Sequence, residues 1–404
     1  MQRLTTLPNG LRVVTREMPS VETVAVAVHA EVGSRHEGAR ENGLAHLYEH
    51  MVFKGAGGRS ARDIAETIEG AGGDLNAMTG REGTVFSARL LAGDLPLGLE
   101  IIGDMILQPH FDGEELAREK EVVLQELAEV NDTAGDLVFD DLQAAAFPDQ
   151  ALGRSILGDE ESVGGLSVDD LHDWAARHYR PGNMLVAAAG KLDHKAVVDA
   201  VAARFGALNG IARHEVEPAR FEGGERVRTK TAEQAHVALG HAGPAVAAET
   251  LFAARLFGEA AGGGMSSRLF QELREARGLA YSVYAGHAPF ADGGLFTAYV
   301  ATRPDRAAEA ETLMREVLAE AAQTLRADEL DRARAMAKSG LLMALESCEG
   351  QAGYVARQLL VHGRLVEPAE VVAEIDALTL DDVRAAGAAM LAGTPARAVI
   401  GVQG

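Results

Sequence analysis

The order of predicted elements repeats along the chain, and that repeat limits the fold more than any single residue does. In the first half TVAVAVHAEVG reads as a strand, followed by a helix, a strand pair around DLNAMTGREGTVFSARLL and a long helix from Asp112. In the second half AHVALGHAG is followed by a helix from about Glu249, then AYSVYAGHAPFADGGLFTAYVAT, then a helix from Asp328. Strands alternating with long helices predict mixed sheets covered by helices. A length of 404 residues also suits two or more domains. The join is placed in residues 208–226 (LNGIARHEVEPARFEGGER), which are polar and contain Gly210, Pro218, Gly223 and Gly224. The expected division is residues 1–212 and 226–404, with 213–225 as linker.

The first of these helices carries His46-Leu47-Tyr48-Glu49-His50. Positions i and i+4 stack on one helix face, so two imidazoles can point at one metal ion. Glu49, three residues after the first histidine, shares that stripe. Two neutral nitrogens and an adjacent carboxylate suit a catalytic zinc, which needs ligands and a base for its water. The order His-x-x-Glu-His is the inverzincin signature. Read alone, in a chain with 13 histidines, the string also fits a solvated helix face with two unrelated histidines.

A catalytic zinc takes three protein ligands and keeps one position open. The helix over 112–130 (DGEELAREKEVVLQELAEV) offers the third. Asp112, with Glu115 three residues later, makes a start like a capping box. Leu116, Val123, Leu127 and Val130 recur at helical spacing and predict a buried stripe. Glu119 and Glu126 lie two turns apart on one face, while Glu114, Glu115, Glu121 and Glu129 read as solvated. Composition alone does not choose among these carboxylates.

HLYEH followed by MVFKG, with Glu126 in VVLQEL seventy-six positions after His50, resembles the M16 (pitrilysin-type) zinc peptidases, which include the mitochondrial processing peptidase. The likeness runs through VGSRHEGARENGLAH, GGDLNAMTGREGTVF and SSRLFQELREARGLAYSVY, so it covers nearly the whole chain. It is the likeness of a bacterial-type, two-domain M16B-like member. It implies two homologous α+β domains, each a mostly antiparallel mixed β-sheet packed against several α-helices, in the LuxS/MPP-like metallohydrolase fold. It implies Glu126 as the third ligand of one Zn2+ per chain, with His46 and His50, and Glu119 as a support behind the ligands. Glu49 would take the proton from zinc-bound water and pass it to the leaving amine. Laying residues 115–127 on 329–341 puts Ala333 opposite Glu119 and Gly340 opposite Glu126, and the second half has no His-x-x-Glu-His. The second copy keeps the scaffold without the ligands.

Other candidate site residues take their roles from the same resemblance. Asn76 would hydrogen-bond the main chain of a substrate added as a strand at its edge; from the residues alone it fits a turn after Gly72-Gly73 equally well. Arg274 and Tyr281, in REARGLAY, would reach the substrate, the tyrosine donating to the developing oxyanion. Without the family they read as a surface charge and a core residue. Gly262-Gly263-Gly264, before MSSRLF, resembles a shortened form of the glycine-rich loop in the processing peptidase's partner subunit, and is expected to be a mobile loop that contacts substrate. No Gly-Lys-Ser/Thr follows it, so a phosphate loop is a weak reading.

Longer relatives carry four such domains, with zinc in the first and the Arg/Tyr pair in the fourth. A two-domain chain holding both sets is expected to form a clamshell homodimer, the metal site of one subunit facing Arg274 and Tyr281 of the other. A heterodimer with a paralogue is the alternative. An enclosed chamber predicts a zinc metalloendopeptidase for unfolded or extended peptides. Two rivals stand beside it: a catalytically silent structural subunit of a peptidase or respiratory assembly, and a zinc hydrolase of small molecules. Two departures from the family are Gln150-Ala151, where His-Pro is common, and Tyr48, where leucine is usual.

Composition excludes more than it selects. Hydrophobic content of 47% with 24% charged residues suits a soluble globular protein. A net charge of -22 argues against nucleic acid as partner, since that binding begins with neutralising phosphates. There is no apolar run near the roughly 18 residues of a membrane span. The stretch MQRLTTLPNGLRVV lacks an apolar signal region and reads as strand-turn-strand at Pro8-Asn9-Gly10, so a cytoplasmic location is expected. One cysteine, Cys348, leaves no intrachain disulfide and no cysteine-rich metal site.

Overall fold

The computed structural model describes residues 1–210, 216–230 and 232–401. The expected boundary at 212 and the first linker residues, 213–215, lie outside the described residues. Two compact units form, and neither is a continuous half of the chain. The first comprises Met1–Leu127, Ser155–Val216 and Ala344–Val366; the second comprises Ala128–Arg154, Glu217–Met343 and Glu367–Gly404. Each half of the sequence gives one helical segment to the unit built mainly from the other.

Apart from the short pair Gly55–Ala56 and Arg59–Ser60, the strands of the first unit are β1 (Gln2–Thr6), β2 (Arg12–Glu17), β3 (Thr23–Ala30), β4 (Asp74–Thr79), β5 (Thr84–Leu91) and β6 (Met184–Gly190). They form one sheet in the order β1-β2-β6-β3-β5-β4, antiparallel except where β2 runs parallel to β6. The strands of the second unit are β7 (Gly224–Arg228), β8 (Ala235–Ala242), β9 (Ala280–Pro289), β10 (Gly294–Thr302) and β11 (Ala396–Ile400). Their order is β9-β10-β8-β11-β7, antiparallel except for β11 beside β7. The two sheets therefore share a topology, with β3 matching β8, β5 matching β10 and edge strand β4 matching edge strand β9. Each unit is α+β, a sheet covered by helices, as the family resemblance implies.

Besides the single short turn Glu160–Gly165, the α-helices are α1 (Leu44–Val52), α2 (Ala61–Gly70), α3 (Leu95–Leu107), α4 (Gly113–Asp132), α5 (Ala134–Ala146), α6 (Val168–His178) and α7 (His194–Phe205). They continue with α8 (Leu251–Gly258), α9 (Ala307–Thr324), α10 (Ala327–Ala344), α11 (Cys348–His362), α12 (Pro368–Ala377) and α13 (Leu380–Leu391). In the first unit β3 and β6 are buried along nearly their whole length, so both sheet faces are covered. Val24, Val26 and Val28 enter the main core, against α3, while Ala25 and Ala27 face the other way. Small side chains there let α11 pack along β6 and β3. In the second unit α5 packs against β11 and β8, placing Leu137, Val138 and Leu142 in a core with Tyr299, Ala398 and Ile400.

Local signals explain the element ends. At the first hairpin Gly10 takes φ +92° and Asn9 Oδ1 accepts from Leu11 N, which closes the expected turn. Asp112 Oδ1 accepts from Glu114 N and Glu115 N at 2.9 and 3.1 Å and caps α4. Glu115 turns to Arg118 instead of reaching back, so only half of the capping box forms. Leu116, Val123 and Leu127 are buried as the periodicity requires; Val130, near the end, is half-buried. Among the described residues no helix is long and apolar enough to cross a membrane.

Candidate metal and catalytic site

Helix α1 is amphipathic in the sense the site requires. Leu44, Ala45, Leu47, Tyr48, Met51 and Val52 are buried, which turns His46, Glu49 and His50 to the opposite side. Tyr48, the departure from leucine, is fully buried and stacked on Tyr179 with ring centroids 4.7 Å apart. The helix starts at Gly43 with φ +91°, where a Cβ would lie 2.8 Å from Leu157 O. Gly43 has no side chain to cap with. Glu37, only 3% exposed, caps instead: its carboxylate accepts from Gly43 N, Ala45 N and Asn42 Nδ2 at 3.0, 2.8 and 3.1 Å.

Helix α4 brings Glu126 to this face. Its Oε2 lies 3.8 Å from His46 Nε2 and 3.7 Å from His50 Nε2. The three ligand atoms lie within 4.8 Å of one another. Ligands bonded to tetrahedral zinc at about 2.0–2.2 Å are roughly 3.3–3.6 Å apart, so both carboxylate-to-imidazole distances lie within a few tenths of an ångström of what the ion would set. Burial, and then the neighbouring His50, lower the pKa of His46 to about 4, which keeps it in the neutral form a ligand must have. These donors fit zinc: two nitrogens and one carboxylate oxygen, converging from two helices.

The second carboxylate of α4 lies behind the first. Glu119 is buried, its Oε2 3.1 Å from His50 Nδ1 and its Oε1 2.7 Å from Lys54 Nζ. A carboxylate on the far nitrogen of a ligand histidine fixes ring orientation and tautomer. His46 has no such support among the described residues, its Nδ1 being buried without a partner there. Glu49 is half-buried, and desolvation pushes its pKa up against the pull of hydrogen bonds from Thr79 and the nearby His50. Its Oε2 is buried with no hydrogen-bond partner among the described residues. A half-buried carboxylate that feels both His50 and Glu126 is placed where a proton acceptor of this site would have to be.

Asn76 is an exposed residue of edge strand β4, not a turn residue. Among the described residues β4 pairs only with β5, so its outer edge is open to an added strand. Thr79, at the end of the strand, touches Glu49 and donates to Ala45 O at 3.4 Å, which ties this edge to α1.

The other candidates lie in the second unit. Arg274 Nη1 donates to Tyr281 O at 3.0 Å, and its guanidinium lies 4.7 Å from the Phe270 ring and 5.1 Å from the Tyr281 ring. Tyr281 is the extra residue of a β-bulge, where the register of β9 against β10 shifts between Ala280 and Ser282. The bulge turns the ring outward to 72% exposure, so the core-residue reading of Tyr281 fails. Gly262 and Gly263 belong to a wide π-type turn, Glu259–Gly263, that continues α8. A Cβ on Gly262 would fall 2.3 Å from Ala285 N, so glycine lets the turn lie against β9. Gly264 alone is extended with open space around it. Gln150, the other departure, is buried and bonds Arg220 N and O at 2.8 Å each, a local tie with no link to the metal ligands.

Three contributors escape a motif reading: Glu37, Lys54 and Thr79. All three lie in strings that carry the family likeness, and Lys54 also continues the His46 and His50 stripe at the next i+4 position.

Known proteins match this chain along its length. The family profile described as "Insulinase (Peptidase family M16)" matches residues 12–160, and that described as "Peptidase M16 inactive domain" matches 165–337. A Streptomyces coelicolor protein named an uncharacterized zinc protease is 39% identical over 99% of this chain and 89% of its own length. The Bacillus subtilis YmxG protein, named likewise, is 34% identical over 94% of this chain and 93% of its own. Among solved structures, a peptidase M16 inactive domain from Pseudomonas fluorescens superposes with TM-score 0.93 at 23% identity, covering 100% of this chain and 98% of that one. A protease from Helicobacter pylori gives TM-score 0.90 at 21% identity, covering 99% of both. These last two speak for the fold alone, whereas the profiles and the sequence relatives together place this chain in peptidase family M16.

Proposed function

We propose that the protein is a zinc-dependent endopeptidase of the inverzincin type, acting on extended, unstructured peptides. The observation that carries this is the convergence of His46, His50 and Glu126 beside the carboxylate of Glu49, which feels both His50 and Glu126. Zinc held by the three ligands would polarise the scissile carbonyl and bring the pKa of a coordinated water to about 7. Glu49 takes the proton from the attacking water and delivers it to the departing nitrogen. The open edge of β4 receives the peptide as an added strand, and Asn76 bonds its main chain. Thr79 holds Glu49 in reach of that strand. The relatives named zinc proteases support the same class of reaction.

Purified protein is expected to hold one zinc per chain and to cleave quenched peptides, with cleavage lost on chelation and restored by zinc. A folded domain should resist while its unfolded form is cut. A protein that holds no zinc, or that cuts only small-molecule substrates, defeats this reading. The second of these outcomes would favour a different hydrolase, and the first a silent subunit.

The Arg274 and Tyr281 pair is assigned to substrate in a cytoplasmic homodimer, where Tyr281 of the partner subunit donates to the developing oxyanion. Mixing a Glu49→Gln subunit with a Tyr281→Phe subunit is expected to regain activity that neither has alone. Failure to regain it after proven subunit exchange refutes shared sites.

A further inference from the structure

We propose that Lys54 is a positioning residue of the metal site: its grip on Glu119 Oε1 locks the carboxylate that presents His50 to the ion. The inference rests on the zinc-peptidase reading above and deepens it. Lys54 lies just past the end of α1 at Val52. The chain turns there, with Phe53 N donating to His50 O at 3.2 Å and Lys54 N to Met51 O at 3.1 Å. The turn keeps Lys54 on the side of the helix that carries the ligands. The result is a chain of contacts, Lys54 Nζ to Glu119 Oε1 at 2.7 Å and Glu119 Oε2 to His50 Nδ1 at 3.1 Å.

The reason both contacts matter is rotational. The terminal torsion of a glutamate is broad, so a carboxylate held at one oxygen swings. Held at both oxygens, it has one orientation. The Glu119 side chain is only 7% exposed, so water is poorly placed to replace the lysine. The fixed oxygen keeps the His50 proton on Nδ1 and leaves the Nε2 lone pair facing Glu126, the tautomer a ligand uses. His46 lacks any partner at Nδ1, so this is the one ligand imidazole with a carboxylate behind it among the described residues. Orientation of the ligand set therefore depends on Lys54 more than an exposed ion pair would suggest.

The test compares wild type with Lys54→Met, Lys54→Arg and Glu119→Gln in the full-length protein. Zinc affinity is measured by competition with a chromophoric chelator, and the His50 tautomer by histidine-selective nitrogen NMR on the metal-free protein. Lys54→Met is expected to weaken zinc binding about 10–100-fold, the usual size for losing support behind a ligand. It should also turn a single His50 tautomer into a mixture, and Lys54→Arg should restore much of both. Glu119→Gln added to Lys54→Met should cost little more, because both act through one carboxylate. Zinc affinity within twofold of wild type, with an unchanged tautomer, overturns the proposal while leaving the zinc-peptidase reading intact. Weakened affinity with an unchanged tautomer and no rescue by arginine also overturns it, marking a merely structural lysine. Wild type that binds no zinc overturns both.

Discussion

Replacing Glu49 by glutamine lowers kcat/KM for peptide cleavage by about 10²–10⁴-fold, the range that a positioned proton acceptor contributes. The zinc content of the variant stays at the wild-type value, because Glu49 is not among the converging ligand atoms. Two features of the site set this expectation. Glu49 Oε2 is buried without a hydrogen-bond partner among the described residues, so glutamine breaks no structural bond to them at that atom. Desolvation raises the carboxyl above its ordinary value, against the opposing pull of the Thr79 hydrogen bonds and His50. Glutamine preserves the volume and the contact with Thr79 but cannot accept the proton. Steady-state kinetics on a quenched peptide, with metal analysis of the same preparation, decides the matter. A loss smaller than about tenfold at full zinc occupancy would move the base role elsewhere. Loss of zinc along with activity would show instead that Glu49 shapes the ligand set.

How far the site was legible in the sequence depends on which physical signal each residue carries. His46 and His50 are bound to one face by helical geometry alone, and the buried face of α1 leaves them nowhere else to point. On α4 the apolar stripe of Leu116, Val123 and Leu127 predicts which side is inward, and Glu119 proves to lie on it, whereas Glu126 lies at its border, half-buried. That difference matches a support behind the ligands and a ligand, yet composition gives both as plain glutamates. Tyr281 reads as a core aromatic, because nothing in its neighbours announces the bulge that turns it out. The three glycines read as a loop since glycine weakens helices by about 1 kcal/mol per residue. Close approach of Gly262 to Ala285 outweighs that cost, and such an approach is a tertiary fact.

The exchange of segments between the units is hidden for a similar reason. The apolar stripe of α5, with Leu137, Val138 and Leu142, specifies that the helix must cover a sheet but not which one. Alternation along the chain favours the nearer sheet in sequence; burial assigns α5 to the second unit and α11 to the first. The shared topology of the sheets, by contrast, follows directly from the repeat of elements. The second copy shows what the ligands are not needed for: Ala333, opposite Glu119, is 2% exposed and simply fills its place in the core.

Glu37→Ala is expected to destabilise the first unit strongly while leaving every candidate metal ligand in place. The carboxylate satisfies two backbone N–H groups at the start of α1 and the amide of Asn42, all in a buried setting. Each donor left buried without an acceptor costs about 1–3 kcal/mol, and the negative charge at the positive end of the helix is lost as well. Relaxation will recover part of this, so a net loss of about 3 kcal/mol is the expected value. The chain has a single tryptophan, Trp174, fully buried in the same unit on α6, a helix that packs against α1. Its fluorescence therefore reports unfolding of the unit that holds the site. With a urea m-value of roughly 2 kcal/mol/M, the midpoint should fall by about 1.5 M. Zinc affinity should fall too, because His46 lies in the first turn, the part of the helix that the missing cap frees to fray. Glu37→Gln, which keeps one acceptor oxygen but turns an amide towards the donors, should fall between alanine and wild type. A midpoint that moves by less than about 0.3 M in the alanine variant would mean that Gly43 and the packing of Leu44 and Leu47 start this helix without help from Glu37.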